Sequence, residues 1–391
     1  MTSPLGTGTV SQFSTSSGNP YIDPFIDGGY RWGLGGLGAP ATVTYSFPQN
    51  GATWIGDYYD GEPFDGFQAF SASQQAAARQ ALATWQEVAN ITFVETADTP
   101  ADVGDIRFGF SNVVSNDPYA VAWGYFPYSN PGYEFPEAGD IWFDPLYQPN
   151  LQMAPGQFGF STLIHEIGHA LGLDHPFDDG YGEPVLPASM DNNQYTIMAY
   201  DRHPYTLLEA STPLLLDILA IQYIYGANMN TRTGNDVYTF NPNTAVVKAI
   251  WDAGGVDTID CSNFTRGVTI DLNQGAFSSI YATYDVAIAY GAVIENAAGG
   301  SNPDNLFGNE IANVLNGNGG GDWIYGYGGS DNLQGGSGND FLDGGAGDDT
   351  LDGGIGTDTL RGGSGNDIYL LFAAGDTIDE ESNKDSADQL F

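Results

Sequence analysis

The stretch HEIGHALGLDH, residues 165–175, holds three of the four histidines of this 391-residue chain. On an α-helix, residues four apart are offset by only about 40°, so His165 and His169 project from one face and can share one metal ion. His175 can join them only if the chain turns back after His169, because a continuous helix would carry it roughly 9 Å further along the axis. Gly172 stands where that turn must occur, since glycine accepts a positive φ at no steric cost. The spacing therefore predicts a helix, a reversal and a three-histidine metal site.

The residue types in this stretch favour zinc in a catalytic role. Three neutral imidazoles leave the fourth position of a tetrahedral zinc ion open for water, as in catalytic rather than structural sites. Glu166 is fixed by the same helical turn but stays free of the metal, and it is the predicted general base. Zinc lowers the pKa of bound water from about 16 toward roughly 7, so a carboxylate can take its proton during attack on an amide carbonyl. The alternative is an amphipathic core helix, but core packing would not require two histidines and a glutamate on the remaining face.

The C-terminal part of the chain is built on a nine-residue repeat. From Gly299 to Leu370 it reads in steps such as GGSGNDFLD, GGAGDDTLD and GGIGTDTLR. The register GGxGxDxUx is typical of calcium-binding repeats: glycines form turns with exposed carbonyls, the aspartate supplies a carboxylate, and the apolar U residue points into a flattened parallel β-roll. The step that begins at Gly308 has Asn313 at the aspartate position, which predicts a weak or empty site. Elsewhere that position is filled by Asp304, Asp322, Asp331, Asp340, Asp349, Asp358 and Asp367.

Together the two motif blocks resemble one protein family. HEIGHALGLDH fits the metzincin signature HExxHxxGxxH, and TIMAY, further along the chain, is similar to the family's Met-turn. A metzincin followed by RTX nonapeptides resembles the serralysins, which are secreted alkaline metalloproteases. The resemblance implies that Met198 forms an apolar floor under the metal, and that Tyr200 ligates zinc and swings away to stabilise the oxyanion. Without the resemblance, both residues would be interpreted as core residues.

The resemblance covers roughly residues 30 to 370 and implies both a fold and a further metal site. The expected fold class is α+β, a metzincin catalytic domain with a twisted mixed sheet and an active-site helix, followed by an all-β parallel β-roll. A composition shift near residue 230 agrees with two domains. We expect a leader or short pro-segment at 1–30, which is the part that could be disordered, a zinc metalloprotease domain at 31–230 and a calcium-binding RTX β-roll at 231–391. The implied calcium site, for which ordinary turn aspartates are the alternative, is framed by Arg232, Gly234, Asp236, Asp252, Gly254, Gly255 and Asp257.

The net charge of −40 bears on the partners of the chain. Only nine residues are Lys or Arg, which argues against a nucleic-acid partner because phosphate binding needs basic patches. Carboxylates crowded at nine-residue spacing repel one another until divalent ions bind, so folding of the repeats should be coupled to calcium. Residues 1–230 carry 25 acidic against 4 basic residues, which indicates only solubility or a saline habitat. No apolar run is long enough to insert into a membrane.

Several smaller expectations concern export and individual elements. The N-terminus lacks a basic stretch followed by an apolar core, so it does not read as a cleavable signal peptide. The resemblance implies export by a type I route, although the chain stops where that family usually continues to an apolar export signal. The single cysteine, Cys261, is expected to be buried. Residues 71–90 predict a helix and 101–110 a strand, and 120–126 predict either the edge strand that binds substrate or a plain buried strand. His203 is expected at the surface.

The function expected from these observations is that of a secreted zinc endopeptidase acting on proteins or peptides. Its cofactors would be one catalytic zinc ion and several structural calcium ions. It would act as a monomer, with a proteinaceous inhibitor as a further partner. Two alternatives remain open at this point: a calcium-folded adhesion or surface-layer protein whose protease half is inactive, and a zinc amidase acting on cell-wall peptides.

Overall fold

The computed structural model describes residues 8–26, 28–54, 58, 60–128, 135–177, 182, 184–371, 374–379 and 388–390. Contacts divide the chain into two compact units, one of residues 1–229 with 246–249 and one of residues 230–245 with 250–391. The helices are α1 (Ala72–Val88), α2 (Asn112–Asn116), α3 (Phe158–Ala170) and α4 (Leu215–Tyr225). The first strands are β1 (Val10–Gln12), β2 (Tyr30–Trp32), β3 (Ala41–Ser46), β4 (Gln68–Ala69), β5 (Ile91–Glu95), β6 (Ile106–Phe110), β7 (Ala122–Gly124) and β8 (Ile141–Phe143).

The first unit is built on a mixed sheet with the strand order β5–β3–β6–β8–β7. β3 runs parallel to β5 and β6, and β6 runs parallel to β8, whereas β7 is an antiparallel edge strand on β8. β4 adds antiparallel to β6. Helix α1 packs on α3, where the fully buried Trp85 donates from Nε1 to the Ile164 carbonyl at 3.1 Å. The expected α+β architecture is confirmed.

The ends of two predicted elements follow from local hydrogen bonds. Helix α1 begins after Ser71, whose side chain and that of Gln74 form a reciprocal capping box. Strand β6 begins at Ile106, later than the sequence predicts, because Thr99 and Asp102 bond each other's backbone in a turn. The backbone of that turn is therefore not free to pair in the sheet.

The N-terminal segment is packed into the first unit. β1 pairs antiparallel with β2, and the side chains of Phe25 and Ile26 are fully buried. The Phe25 carbonyl accepts a hydrogen bond from the Asp174 backbone N–H at 2.9 Å. Residues on the N-terminal side of position 30 thus support the loop next to His175.

The second unit is a parallel β-roll, as expected. Its two sheets have the orders β25–β23–β21–β19–β17–β15–β11–β9 and β12–β16–β18–β20–β22–β24. Within the nonapeptide repeats, partners are 18 residues apart, as in Ile324 with Leu342 and Leu333 with Leu351, so two nonapeptides make one coil. The remaining strands of the chain are β9 (Val237–Thr239), β10 (Lys248–Ile250), β11 (Thr258–Asp260), β12 (Thr269–Asp271), β13 (Phe277–Ser278), β14 (Val286–Ile288), β15 (Asn296–Ala298), β16 (Asn305–Phe307), β17 (Val314–Asn316), β18 (Trp323–Gly328), β19 (Asn332–Gly338), β20 (Phe341–Ala346), β21 (Thr350–Gly356), β22 (Thr359–Ser364), β23 (Ile368–Leu370), β24 (Thr377–Ile378) and β25 (Gln389–Leu390).

The core of the roll is a column of apolar residues at the U position of the repeats. Each of them is fully or almost fully buried, because alternate residues of a strand point to opposite faces. Cys261 is also buried, as expected. Within the described part of the chain, no helix combines the length and apolarity needed to cross a bilayer. The buried column consists of Leu306, Leu315, Ile324, Leu333, Leu342, Leu351, Leu360 and Tyr369.

Candidate metal centre and substrate cleft

Helix α3 ends in a turn that brings His175 back to His165 and His169. The Gly172 N–H donates to the His169 carbonyl at 2.8 Å and the Leu173 N–H to the Gly168 carbonyl at 2.9 Å, the paired bonds of a Schellman turn. Gly172 has φ +103°, and a Cβ there would lie 2.3 Å from the Tyr30 carbonyl oxygen. Only glycine suits both the backbone angle and the space.

The three imidazoles meet at their Nε2 atoms. The Nε2–Nε2 distances are 3.1 Å for His165 and His169, 3.0 Å for His169 and His175, and 3.2 Å for His165 and His175. In a tetrahedral zinc site with Zn–N bonds of about 2.1 Å, ligand atoms are about 3.4 Å apart. The triangle is therefore close in size to one face of a zinc coordination tetrahedron.

Hydrogen bonds on the far side of two rings fix which nitrogen carries the proton. Nδ1 of His165 donates to the Ile197 carbonyl at 2.7 Å, and Nδ1 of His169 donates to the Leu173 carbonyl at 2.8 Å. Since a carbonyl only accepts, the neutral rings carry lone pairs on Nε2. These lone pairs face each other and repel unless a cation lies between them, so the residues fit a metal ion.

Burial keeps these imidazoles neutral. It lowers the pKa of His165 to about 4 and, with repulsion from His165, that of His175 to about 3. The pKa of His169 is also well below the ordinary value, because of burial and then the charges of the other two rings. Neutral imidazole is the form that binds metals.

Glu166 faces the same cavity from α3. Its side chain is almost fully buried, which raises its pKa to about 8, while the Gly124 N–H on β7 acts in the opposite direction. A Cβ on Gly124 would lie 2.5 Å from the Glu166 carbonyl oxygen, so β7 packs directly on the helix backbone. A divalent cation on the nearby imidazoles would favour the charged carboxylate.

The two residues implied by the Met-turn resemblance lie on different sides of this centre. Met198 is fully buried, and a Cβ on Gly168 would lie 2.7 Å from its Sδ, so Met198 packs against α3. Tyr200 is exposed at the rim, with its ring centroid 4.7 Å from that of His175 and 6.0 Å from that of His165. Partial desolvation, followed by the charges of Glu166 and Asp174, raises the pKa of Tyr200 to about 12. Tyr200 therefore keeps its proton at neutral pH and can donate a hydrogen bond.

A cavity of about 520 Å³ opens beside the histidines. One wall is formed by residues 119–124 and Phe126, including edge strand β7, and another by Ser161, Thr162 and Glu166 of α3. The free edge of an antiparallel strand can pair with an extended peptide. The structure thus places the predicted strand at 120–126 at a sheet edge, next to the three imidazoles.

The junction aspartates form a second group of potential ligand atoms. One carboxylate oxygen from each of Asp236, Asp252 and Asp257 lies within 4.8 Å of the others. Burial raises the pKa of Asp257 to about 6, and its Oδ2 is buried without a hydrogen-bond partner. A buried anionic oxygen without a donor indicates room for a cation.

The other four residues predicted for this site lie around the three carboxylates. Arg232 has a positive φ of 43°, and its guanidinium lies 3.8 Å from Asp236 Oδ1. The Gly254 N–H donates to Asp252 Oδ1 at 2.8 Å. The carbonyl of Gly234 lies so close to Gly255 that a Cβ on Gly255 would overlap it. The structure therefore brings the predicted set together.

The repeat aspartates form ladders along the roll. The Asp304 N–H donates to Asp322 Oδ1 at 2.8 Å, and the same bond recurs at 18-residue spacing as far as Asp358 with Asp376. Asp304 differs because its carboxylate accepts from the Val268 and Gly300 N–H groups. The second carboxylate oxygen is buried without a donor in Asp322, Asp331, Asp340, Asp349 and Asp358.

Comparisons with known proteins agree with both halves of this description. The Matrixin family model matches residues 64–201, and the model of the Peptidase M10 serralysin C terminal matches residues 222–390. Serralysin of Proteus mirabilis is 38% identical over 310 residues, which cover 71% of this chain and 61% of that protein. Metallopeptidase AprA of Pseudomonas marginalis is 40% identical over 278 residues, or 64% of this chain and 57% of the relative. The chain belongs to the serralysin-type metzincins.

Serralysin G of Dickeya chrysanthemi is a further relative, 37% identical over 314 residues. That match covers 73% of this chain and 63% of the relative. The matched part of this serralysin-type chain thus spans less than two thirds of the length of these relatives.

A buried carboxylate under the Met-turn of this metzincin was not predicted from the sequence. Asp217, in the first turn of α4, accepts from Thr196 Oγ1 at 2.5 Å and from the Ile197 and Leu214 N–H groups at 2.8 Å each. The Ile197 carbonyl is the acceptor for His165, so Asp217 indirectly orients that ring. Its one sequence signal is an acid within the apolar run LLLDILAIQYIY.

A second missed residue lies behind the edge strand. Glu62 is fully buried, and its Oε1 accepts from Trp123 Nε1 at 2.9 Å and from the Tyr125 hydroxyl. Both donors flank Gly124, so Glu62 fixes the strand that packs on α3. No pattern around residue 62 indicates this role, because its partners are about sixty residues away.

The expectation for His203 is wrong, since its side chain is 4% exposed. Its Nδ1 accepts from the Tyr205 N–H at 3.2 Å, and its ring contacts the Tyr205 ring. A polar residue between Arg202 and Pro204 gives no local sign of burial.

Proposed function

We propose that this chain is a secreted zinc-dependent endopeptidase that hydrolyses peptide bonds in proteins. The observation that carries the proposal is the convergence of three neutral imidazoles beside Glu166, in a cavity bordered by a free strand edge. Membership of a family whose relatives are named serralysin supports it. The comparisons give no support to an inactive adhesion protein or a cell-wall amidase.

His165, His169 and His175 would hold the zinc ion, and Met198 would support them from below. When bound, zinc supplies Lewis acidity, which polarises a carbonyl and makes a nearby water more acidic. Edge strand β7 would orient an extended substrate by backbone hydrogen bonds. Glu166 would accept the proton of the attacking water and pass it to the leaving amine. Tyr200, which keeps its proton, would donate a hydrogen bond to the developing oxyanion and serve as an accessory ligand in the resting enzyme.

The remaining assignments concern domains, calcium and export. We assign residues 31–230 to the protease domain and 231–391 to an RTX roll that binds several calcium ions, and 1–30 to a leader or pro-segment. The packing of Phe25 extends the structured part of the protease domain towards the N-terminus. The orphaned aspartate oxygens support calcium in the repeats, and the junction carboxylates support a further site. Export by a type I route, action as a monomer and a proteinaceous inhibitor complete the proposal.

Elemental analysis combined with a casein assay tests the proposal. We expect one zinc and several calcium ions per chain, casein cleavage that stops after chelation, and activity that returns when zinc and calcium are added together. Zinc-loaded protein that cleaves neither casein nor unfolded peptides would overturn it. Peptidoglycan fragments as the sole cleaved substrate would favour the amidase alternative instead.

A further inference from the structure

The four arginines of residues 1–230 are used in different ways. Arg31 is fully buried and donates to backbone carbonyls, among them that of Ile224 at 2.9 Å. Arg107 is almost fully buried and forms an ion pair with Asp98 at 2.9 Å. Arg79 forms an exposed ion pair with Glu95 at 2.6 Å. Three of the four positive charges are therefore engaged by the protein itself.

Arg202 is the exception, and it lies in the substrate cleft. Its side chain is exposed, and it lines the same cavity as Glu166 and the three imidazoles. Within the described part of the chain it forms no ion pair with an acidic side chain. Tyr200, two residues before Arg202, lines this cavity as well.

One carboxylate of the cavity, that of Glu209, lies near enough to Arg202 to feel its charge but forms no ion pair with it. Glu209 is half-buried and lines the same cavity. Burial raises the pKa of Glu209, and the charge of Arg202 acts in the opposite direction. A guanidinium and a carboxylate that face one cavity without pairing leave hydrogen-bonding capacity for a third group.

The other charged residues of the cavity indicate which substrate side chain Arg202 binds. Glu166, Asp174 and Glu209 are its carboxylates, and Arg202 is its one arginine or lysine among the described residues. A basic substrate side chain would meet favourable potential at several places, whereas a substrate carboxylate has one protein cation to bind. An arginine binds a carboxylate through two parallel hydrogen bonds, which gives geometric selectivity.

We propose that Arg202 is a specificity-determining residue that binds a glutamate or aspartate side chain of the substrate. The inference rests on the proposed endopeptidase function and names the class of substrate that this cleft accepts. Arg202 offsets the repulsion that an acidic side chain would meet from residues 1–230, which carry 25 acidic against 4 basic residues. Specificity then arises at one position of the substrate rather than along its whole length.

Matched peptide pairs test this inference. Each pair differs by Glu against Gln at one of the six positions nearest the scissile bond, three on each side. For the zinc-loaded wild-type chain we expect kcat/KM to favour Glu by about tenfold at one position, as for a charge-assisted hydrogen bond. In Arg202→Gln the ratio at that position should fall to about one or below, and in Glu209→Gln it should rise because a competing carboxylate is removed.

Arg79→Gln is the matched control, since it removes the same charge from the same unit at a residue outside the cavity. It should keep the wild-type Glu/Gln ratio. An equal shift in Arg79→Gln and Arg202→Gln would show an effect of net charge and overturn the inference, as would a wild-type ratio near one at every position. Failure of the wild type to cleave any peptide would instead overturn the endopeptidase function.

Discussion

Glu166 lies in the same helical turn as His165 and His169, but it is proposed to transfer a proton whereas the histidines are proposed to bind zinc. Successive helical residues are about 100° apart, so Glu166 leaves the helix in another direction than His165. In Glu166→Ala we expect peptide cleavage to fall by at least about 10²-fold, because the base is removed while the three imidazoles stay. Turnover of casein and zinc content per chain are the measurements.

Glu95→Gln serves as the control, since it removes a carboxylate in an exposed ion pair and should leave both quantities unchanged. Cleavage by Glu166→Ala at the wild-type rate would remove Glu166 from the mechanism. Loss of zinc in that variant would show that the residue acts through the metal site instead.

The grouping of His165, His169 and His175 with Glu166 could be predicted because their geometry is local. A spacing of four residues and one glycine suffices to bring them together. Glu62, Asp217 and His203 could not be predicted in the same way. Burial of a carboxylate depends on donors such as Trp123 that arrive from distant strands, and no short window of sequence contains them.

At the level of elements, the start of α4 is tied to the Met-turn by Asp217. In Asp217→Asn the charge is lost, and the NH2 group replaces either Oδ1, the acceptor for the Thr196 hydroxyl, or Oδ2, the acceptor for both backbone N–H groups, so at least one donor loses its acceptor. We expect the free energy of unfolding to drop by about 2 kcal/mol and zinc affinity to fall by about tenfold, since the Ile197 carbonyl would orient His165 less firmly. Denaturant unfolding and competition with a chelator measure the two effects.

Asp102→Asn makes the same chemical change at an exposed position of the same unit and should alter neither quantity. Unchanged zinc affinity in Asp217→Asn would show that Asp217 does not orient His165 through the Ile197 carbonyl.

The N-terminal segment is the second element with a testable role. A chain that starts at residue 31 loses β1, the Phe25 carbonyl that holds Asp174, and the Tyr30 carbonyl against which Gly172 packs. We expect that chain to bind zinc more weakly, because His175 follows this loop. A chain that starts at residue 8 keeps these contacts and is the matched comparison. Equal zinc content and casein cleavage in the two chains would instead support a removable leader up to residue 30.

Element existence was easier to predict than element ends. The repeat and the apolar periodicity of residues 71–90 are properties of sequence alone, and both were confirmed. The start of β6 was wrong because the turn between Thr99 and Asp102 competes with the sheet for the same backbone groups.

At the level of the whole molecule, the ladders of aspartates couple stability to pH and calcium. Burial raises the pKa of Asp322 and Asp331 to about 7 and that of Asp340 and Asp349 to about 6, from 3.8. Between about pH 4 and pH 7 the folded roll without divalent ions then binds more protons than the unfolded chain. Its free energy of unfolding must therefore fall as the pH rises through this range.

Calcium should reverse that trend, because it binds the ionised carboxylates. The measurement is urea unfolding of the full chain at several pH values, followed by the circular dichroism of the strands, in chelator and in millimolar calcium. Magnesium at the same concentration is the control for ionic strength. Stability in chelator that rises from pH 4 to pH 7 would contradict the assignment of the buried oxygens.

The 18-residue coil also sets how this molecule can change in length during evolution. Loss or duplication of one full coil leaves every flanking strand in its own sheet, with its apolar residue still inward and its neighbours only exchanged for equivalent ones. Loss of nine residues would transfer each downstream strand to the opposite sheet. Genes of this kind are therefore free to grow or shrink by 54 base pairs, whereas a change of 27 base pairs would move every later strand to the opposite sheet.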